Sequence, residues 1–122
     1  MNAATDLIDR YIAIWNETDG KRRRDLIART WTESASYLDP LMEGEGHAGI
    51  DAMVRGVQER FPDHRFRRIG EVDVHHDRVR FAWELAPTSG PVLAAGVDFG
   101  VIEPLDDRLN AVVGFLDRLP GA

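Results

Sequence analysis

The acid best placed for chemistry in this chain is Asp39, which stands directly before Pro40 in the stretch Ala35-Ser36-Tyr37-Leu38-Asp39-Pro40. Proline disfavours helical backbone for the residue before it, so this carboxylate is expected in extended backbone at the end of a short strand. Two other residues attract attention by their settings. Tyr11 lies in the middle of an apolar helical face formed by Leu7, Ile8, Ile14 and Trp15. A buried phenol needs a partner for its hydroxyl, so Tyr11 either makes a structural hydrogen bond in the core or points its hydroxyl into a polar spot inside the fold. Asp98 sits in the segment 92–103, where it alternates with Ala94, Gly96 and Gly100, while Leu93, Ala95, Val97, Phe99 and Val101 form the other face and read as the packing face. An acid among very small neighbours either lines a hollow or lies on a solvent-exposed face, and the pattern leaves both readings open.

Other chemistries find less support. The chain has no cysteine, which removes disulfides, thiolate nucleophiles and Cys-type zinc sites. His75 and His76 are adjacent, so in a strand they point to opposite faces, and His47 and His64 have no partner at ligand spacing. No metal site and no cofactor are expected. Ser34, Ser36 and Ser89 lack a nucleophile-elbow context. Gly44-Glu45-Gly46-His47-Ala48-Gly49 fits the dinucleotide-binding spacing, yet Glu43 and Glu45 occupy the place a pyrophosphate would need, and no repeated parallel strand–helix units follow. These glycines read as a loop before a helix.

At 122 residues the sequence is expected to form a single domain, 1–122, large enough for one real core. The net charge of −6 argues against a nucleic-acid surface, and the run Lys21 to Arg24 reads as the solvated face of a helix. The first residues do not read as a secretory signal, and no apolar run is long enough to span a membrane, so a cytoplasmic protein is expected.

The elements that must position these residues follow from periodicity. Helices are expected at about 5–16, at 21–31 through Leu26, Ile27, Thr30 and Trp31, and from Ile50 to Phe61, where Pro62 stops the pattern. A short strand over 34–39 places Ala35, Tyr37 and Asp39 on one face. Four strands follow at about 65–76, 78–86, 92–103 and 109–117, the second burying Val79, Phe81, Trp83 and Leu85.

Three helices, an Asp-Pro pair after a short strand, a helix start at Gly46 to Ile50, and an ending that runs from Val97-Asp98-Phe99 to Asn110-Ala111-Val112-Val113 together resemble the nuclear transport factor 2-like superfamily, in its SnoaL-like and ketosteroid-isomerase-like branch. The resemblance covers nearly the whole chain. It implies an α+β fold: a cone-shaped barrel in which a strongly curved, mainly antiparallel sheet wraps around three N-terminal helices and leaves an internal pocket. It also implies roles. Asp39 would be the general base that removes a proton beside a substrate carbonyl, with Tyr11 and a protonated Asp98 as hydrogen-bond donors to the developing enolate oxygen, an arrangement for which ketosteroid isomerase is the standing example. The pocket so implied would be lined by Trp15, Trp31, Met53, Val57, Phe61, Trp83 and Phe115, and would take a small apolar or aromatic carbonyl ligand. The acidic loop Met42-Glu43-Gly44-Glu45 departs from that pattern. A homodimer is the further implication. Two readings stand side by side: an acid–base enzyme of isomerase or polyketide-cyclase type, and a non-catalytic ligand-binding or dimerisation module.

Overall fold

The structure, a computed structural model, describes residues 3–119. Three helices, α1 (Ala3–Asn16), α2 (Gly20–Thr30) and α3 (Gly46–Arg60), accompany six strands: β1 (Trp31–Leu38), β2 (Glu43–Glu45), β3 (His64–His75), β4 (Arg78–Pro87), β5 (Ala94–Glu103) and β6 (Arg108–Arg118). The strands form one sheet in the order β2-β1-β6-β5-β4-β3. All neighbours are antiparallel except β1 and β6, which run parallel. The expected α+β architecture, helices held against a curved and mostly antiparallel sheet, is the observed one.

The helices form where the apolar spacing places them. The buried face of α1 is Leu7, Ile8, Tyr11, Ile12, Ile14 and Trp15, a stripe three and four residues apart that packs against β3. Helix α2 starts at an Asp19 cap, whose carboxylate accepts the Arg22 backbone N–H at 3.0 Å. It ends one residue earlier than the periodicity suggests. The Trp31 N–H still bonds the Ile27 carbonyl, but Trp31 itself is extended and begins β1, carrying its ring into the core. The three-residue β2 replaces part of the expected loop at 41–46. The glycines of the nucleotide-like pattern do a packing job: a Cβ on Gly44 would lie 3.1 Å from the Gly49 carbonyl oxygen, so strand and helix start touch there.

The charge run on α2 is not wholly solvated. Arg23 is buried, and its Nε donates to Asp51 of α3 at 2.6 Å while Nη1 donates to the Glu17 carbonyl and to Gln58 Oε1. Gln58 in turn donates to the carbonyls of Trp15 and Glu17, so one polar network ties the three helices together. Breaking a buried pair by removing one partner leaves an uncompensated charge. Asp51→Ala is therefore expected to lower the unfolding free energy by about 3–5 kcal/mol in urea titrations. The double change Arg23→Met with Asp51→Leu should recover most of that loss, and equal losses for the single and double variants would contradict the assignment.

Among the described residues, no helix is long and apolar enough to cross a membrane.

Candidate functional site

Tyr11, Asp39 and Asp98 arrive from three elements at one cavity of about 60 Å³. Tyr11 comes from the buried stripe of α1, Asp39 follows the last residue of β1, and Asp98 stands in the middle of β5, where it is 3% exposed. The tyrosine hydroxyl donates to Asp98 Oδ2 at 2.7 Å, and the Trp83 indole Nε1–H donates to Asp98 Oδ1 at 3.0 Å. Asp98 therefore lines a hollow. The face it shares with Ala94, Gly96 and Gly100 is the buried one, and the apolar set ending in the 43% exposed Phe99 points outward, contrary to the expected packing face. The reason lies in the curvature of the sheet: on its concave side the large side chains of the neighbouring strands, Trp83 and Val79 of β4 and Leu109 of β6, lean over β5, so β5 itself must stay small there. Gly96 shows the requirement, because a Cβ on it would come within 2.7 Å of the Trp83 ring, the same ring that reaches Asp98.

Asp39 is held by the turn that follows it. Its Oδ1 accepts the backbone N–H groups of Leu41 at 2.7 Å and Met42 at 3.0 Å, and its own N–H donates to the Met42 carbonyl. Its Oδ2 accepts the Tyr37 hydroxyl at 2.6 Å and keeps one lone pair. Tyr37 was not singled out from the sequence as a site residue, although residues two apart in a strand share a face, and that rule had already placed it beside Asp39. Both acids converge over Gly114 of β6, which pairs with Asp98 in register. A Cβ on Gly114 would lie 2.7 Å from Asp98 Oδ1, 3.2 Å from the Tyr37 hydroxyl and 3.3 Å from Asp39 Cβ.

The remaining wall is apolar and aromatic. Trp15, Val57, Phe61 and Trp83 lie along the cavity, joined by Ile12, Leu41, Met42, Phe66, Leu85, Ala94 and Leu116. The rings of Tyr37, Trp15, Phe66 and Trp83 follow one another with centroids 5.2–5.6 Å apart. Asn16 fixes Phe66 by a two-way clamp, accepting its N–H and donating to its carbonyl, both at 2.8 Å. Three expected lining residues lie elsewhere. Trp31 is fully buried in the core against Tyr11, Met53 packs half-buried against the core from α3, and Phe115 is 55% exposed on the outer sheet face beside Phe99. Trp31 is displaced because its strand begins earlier than expected, and Phe115 because it alternates with the inward-facing Gly114 and Leu116.

Burial sets the electrostatics. Desolvation pushes the Asp98 carboxyl up to about 6, opposed by the hydrogen bonds from Tyr11 and Trp83 and reinforced by the charge of Asp39. Burial, together with the charge of Asp98, also raises Tyr11 and Tyr37 well above the usual phenol value, so both remain donors. A carboxyl raised on folding binds its proton more tightly in the native state, so its stabilising effect is complete below about pH 4 and is lost as pH rises through about 6. The loss amounts to about 3 kcal/mol. Urea midpoints between pH 4 and 7 should therefore fall more steeply for the native sequence than for Asp98→Asn, which carries no titrating group there. Parallel curves would contradict the assignment.

Among the described residues no cluster of three His, Asp or Glu side chains could hold a metal ion. The polar groups of the cavity suit proton transfer and hydrogen bonding to an uncharged ligand.

The pattern of the SnoaL-like domain family matches residues 8–110. A candidate isomerase of the SnoaL-like family from Agrobacterium tumefaciens is 40% identical, with 96% of this chain and 99% of that chain covered and a TM-score of 0.90. A candidate SnoaL-like polyketide cyclase from Jannaschia is 20% identical, covering 93% of this chain and 86% of that one at a TM-score of 0.68. A candidate polyketide cyclase from Sinorhizobium meliloti is 14% identical, covering 89% and 93% at 0.69. The last two likenesses speak for the fold alone. No functionally curated protein matches the chain.

Proposed function

The chain belongs to the SnoaL-like family of the nuclear transport factor 2-like superfamily, and from that premise we propose that it is a small-molecule enzyme doing acid–base chemistry on a carbonyl compound, of isomerase or cyclase type. The observation that carries this reading is the pairing of two carboxylates with two phenols at the base of one aromatic cavity. Asp39 takes the proton from the carbon beside the carbonyl at the open lone pair of Oδ2. On ligand binding Tyr11 releases Asp98 Oδ2 and turns its one O–H to the oxygen on which negative charge develops, and a protonated Asp98 donates to the same oxygen. Burial already raises the Asp98 carboxyl to about 6, and an apolar ligand that closes the cavity over it raises it further, toward the protonated form this role needs. The isomerase designation of the Agrobacterium relative is in line with this chemistry.

The test is α-proton exchange. Small ketones in D2O should lose their α-proton signals in ¹H NMR faster with the protein than without it, and Tyr11→Phe should slow the exchange. Exchange at the buffer rate would refute the proposal. A second reading, ligand binding without turnover, is favoured by the mutual satisfaction of the polar groups, since Tyr11, Trp83 and Tyr37 all donate to the two acids. Thermal shifts on ketone binding with no exchange would select it. The homodimer expected from the family draws support from the outer sheet face, where Phe99 and Phe115 stack edge to face while largely exposed. A cytoplasmic location is proposed on the sequence reading alone.

A further inference from the structure

A cavity of about 60 Å³ holds only a few heavy atoms, yet it does not end in the core. A second cleft, of about 240 Å³, called the rear cleft below, adjoins it where the ends of α1 and α3 meet the start of β3. The two hollows share one wall: Trp15, Val57, Phe61, Phe66 and Leu85 line both. A single layer of side chains therefore separates the acids from this rear cleft. The rear cleft also includes Thr18, Asp63 and His64, of which Thr18 and Asp63 are exposed, so its polar side faces water.

That wall is unequal in strength. Trp15 is buried and Phe66 is clamped by Asn16. Phe61 is the weaker part: it caps α3 at φ −125 and ψ 66, outside helical backbone, is half-buried, and is followed directly by the exposed Pro62 and Asp63. Its N–H still bonds the Val57 carbonyl, so the backbone is held, but its ring has the exposed Arg60 guanidinium over it and the His64 ring at its edge, and it can turn with little disturbance to the core. Val57 sits one turn earlier on the same helix and completes that side of the wall.

We propose that the two hollows act as one elongated site gated by Phe61, and that the substrate class is a long, apolar carbonyl compound. Its carbonyl end lies against Asp39, Tyr11 and Asp98, its body passes Phe61, and its far end carries an uncharged polar group that stays in water beside Thr18 and His64. This rests on the proton-transfer reading for which end enters first. The carbonyl end itself is uncharged, because the described residues lining the front cavity include two carboxylates and no Lys, Arg or His. An anionic head would meet both acids in a water-poor space.

The experiment is a binding series of methyl ketones from butanone to nonanone, followed by calorimetry or NMR titration on the full chain. Each added methylene that enters an apolar site should tighten binding about fourfold. With the native sequence the increase should continue well past the length the front cavity accepts. Phe61→Trp should stop it after the first one or two methylenes, read as the ratio of nonanone to butanone affinity within each variant, and Val57→Phe, on the same wall, gives an independent block should the tryptophan variant fold poorly. Equal affinity for butanone and nonanone, no binding of either, or an undiminished increase in both variants would overturn the proposal. The two readings fail separately: α-proton exchange of butanone without length dependence removes the elongated site alone, and length-dependent binding without exchange removes the chemistry alone.

Discussion

Asp39→Asn is expected to slow α-proton exchange of a bound ketone by about 10²–10⁴-fold. The amide keeps an oxygen for the Leu41 and Met42 N–H groups, and its NH2 can donate to the Tyr37 hydroxyl, so the turn that holds residue 39 survives. What is lost is the lone pair that accepts the substrate proton. Little change in melting temperature together with a collapsed exchange rate is therefore the expected pair of results. An unchanged exchange rate would reduce Asp39 to an anchor for the loop after β1.

Gly114→Ala should be nearly as damaging without removing a polar atom. The new methyl would stand 2.7 Å from Asp98 Oδ1, closer than carbon and oxygen tolerate, and 3.2 Å from the Tyr37 hydroxyl. Asp98 is bonded to two donors and Tyr37 to Asp39, so relief has to come from moving one acid away from the other. A displacement of about 1 Å at reacting groups costs on the order of 10² in rate. Overpacking at this spot should also lower stability by about 1–3 kcal/mol. The checks are exchange kinetics beside a urea titration, and a variant that exchanges protons at the native rate would show that the two acids need no such closeness.

Much of this arrangement was legible in the sequence, and the misreadings have physical causes. The stripes of α1 and α3 and the alternation Val79, Phe81, Trp83, Leu85 in β4 marked their buried faces correctly, because one face of each element meets the core and the other meets water. Trp31 misled because it continues the spacing of Ile27, while its backbone has already turned extended. Strand β5 misleads about its apolar face because in a strongly curved sheet its inner positions are filled by the large side chains of the adjacent strands, Trp83 and Val79 of β4 and Leu109 of β6. Arg23 reads as solvated in the sequence because its partners, Asp51 and Gln58, lie on another helix that no local pattern connects to it. Asp39 was marked by its proline, and Asp98 by its small neighbours. Their meeting over Gly114 is a property of strand order, which alternation along one segment does not encode.

That strand order also sets a sequence of events. The last strand in the chain, β6, lies between β1 and β5, so the sheet has a gap in its middle until residues 108–118 are in place. During synthesis Asp39 and Asp98 would both leave the ribosome before the strand that brings them together. The pocket is thus finished only once β6 is in place, and a ligand that needs both acids cannot bind a molecule that lacks residues 108–118. Ligand binding is in this sense a report that β6 has been made and has closed the sheet.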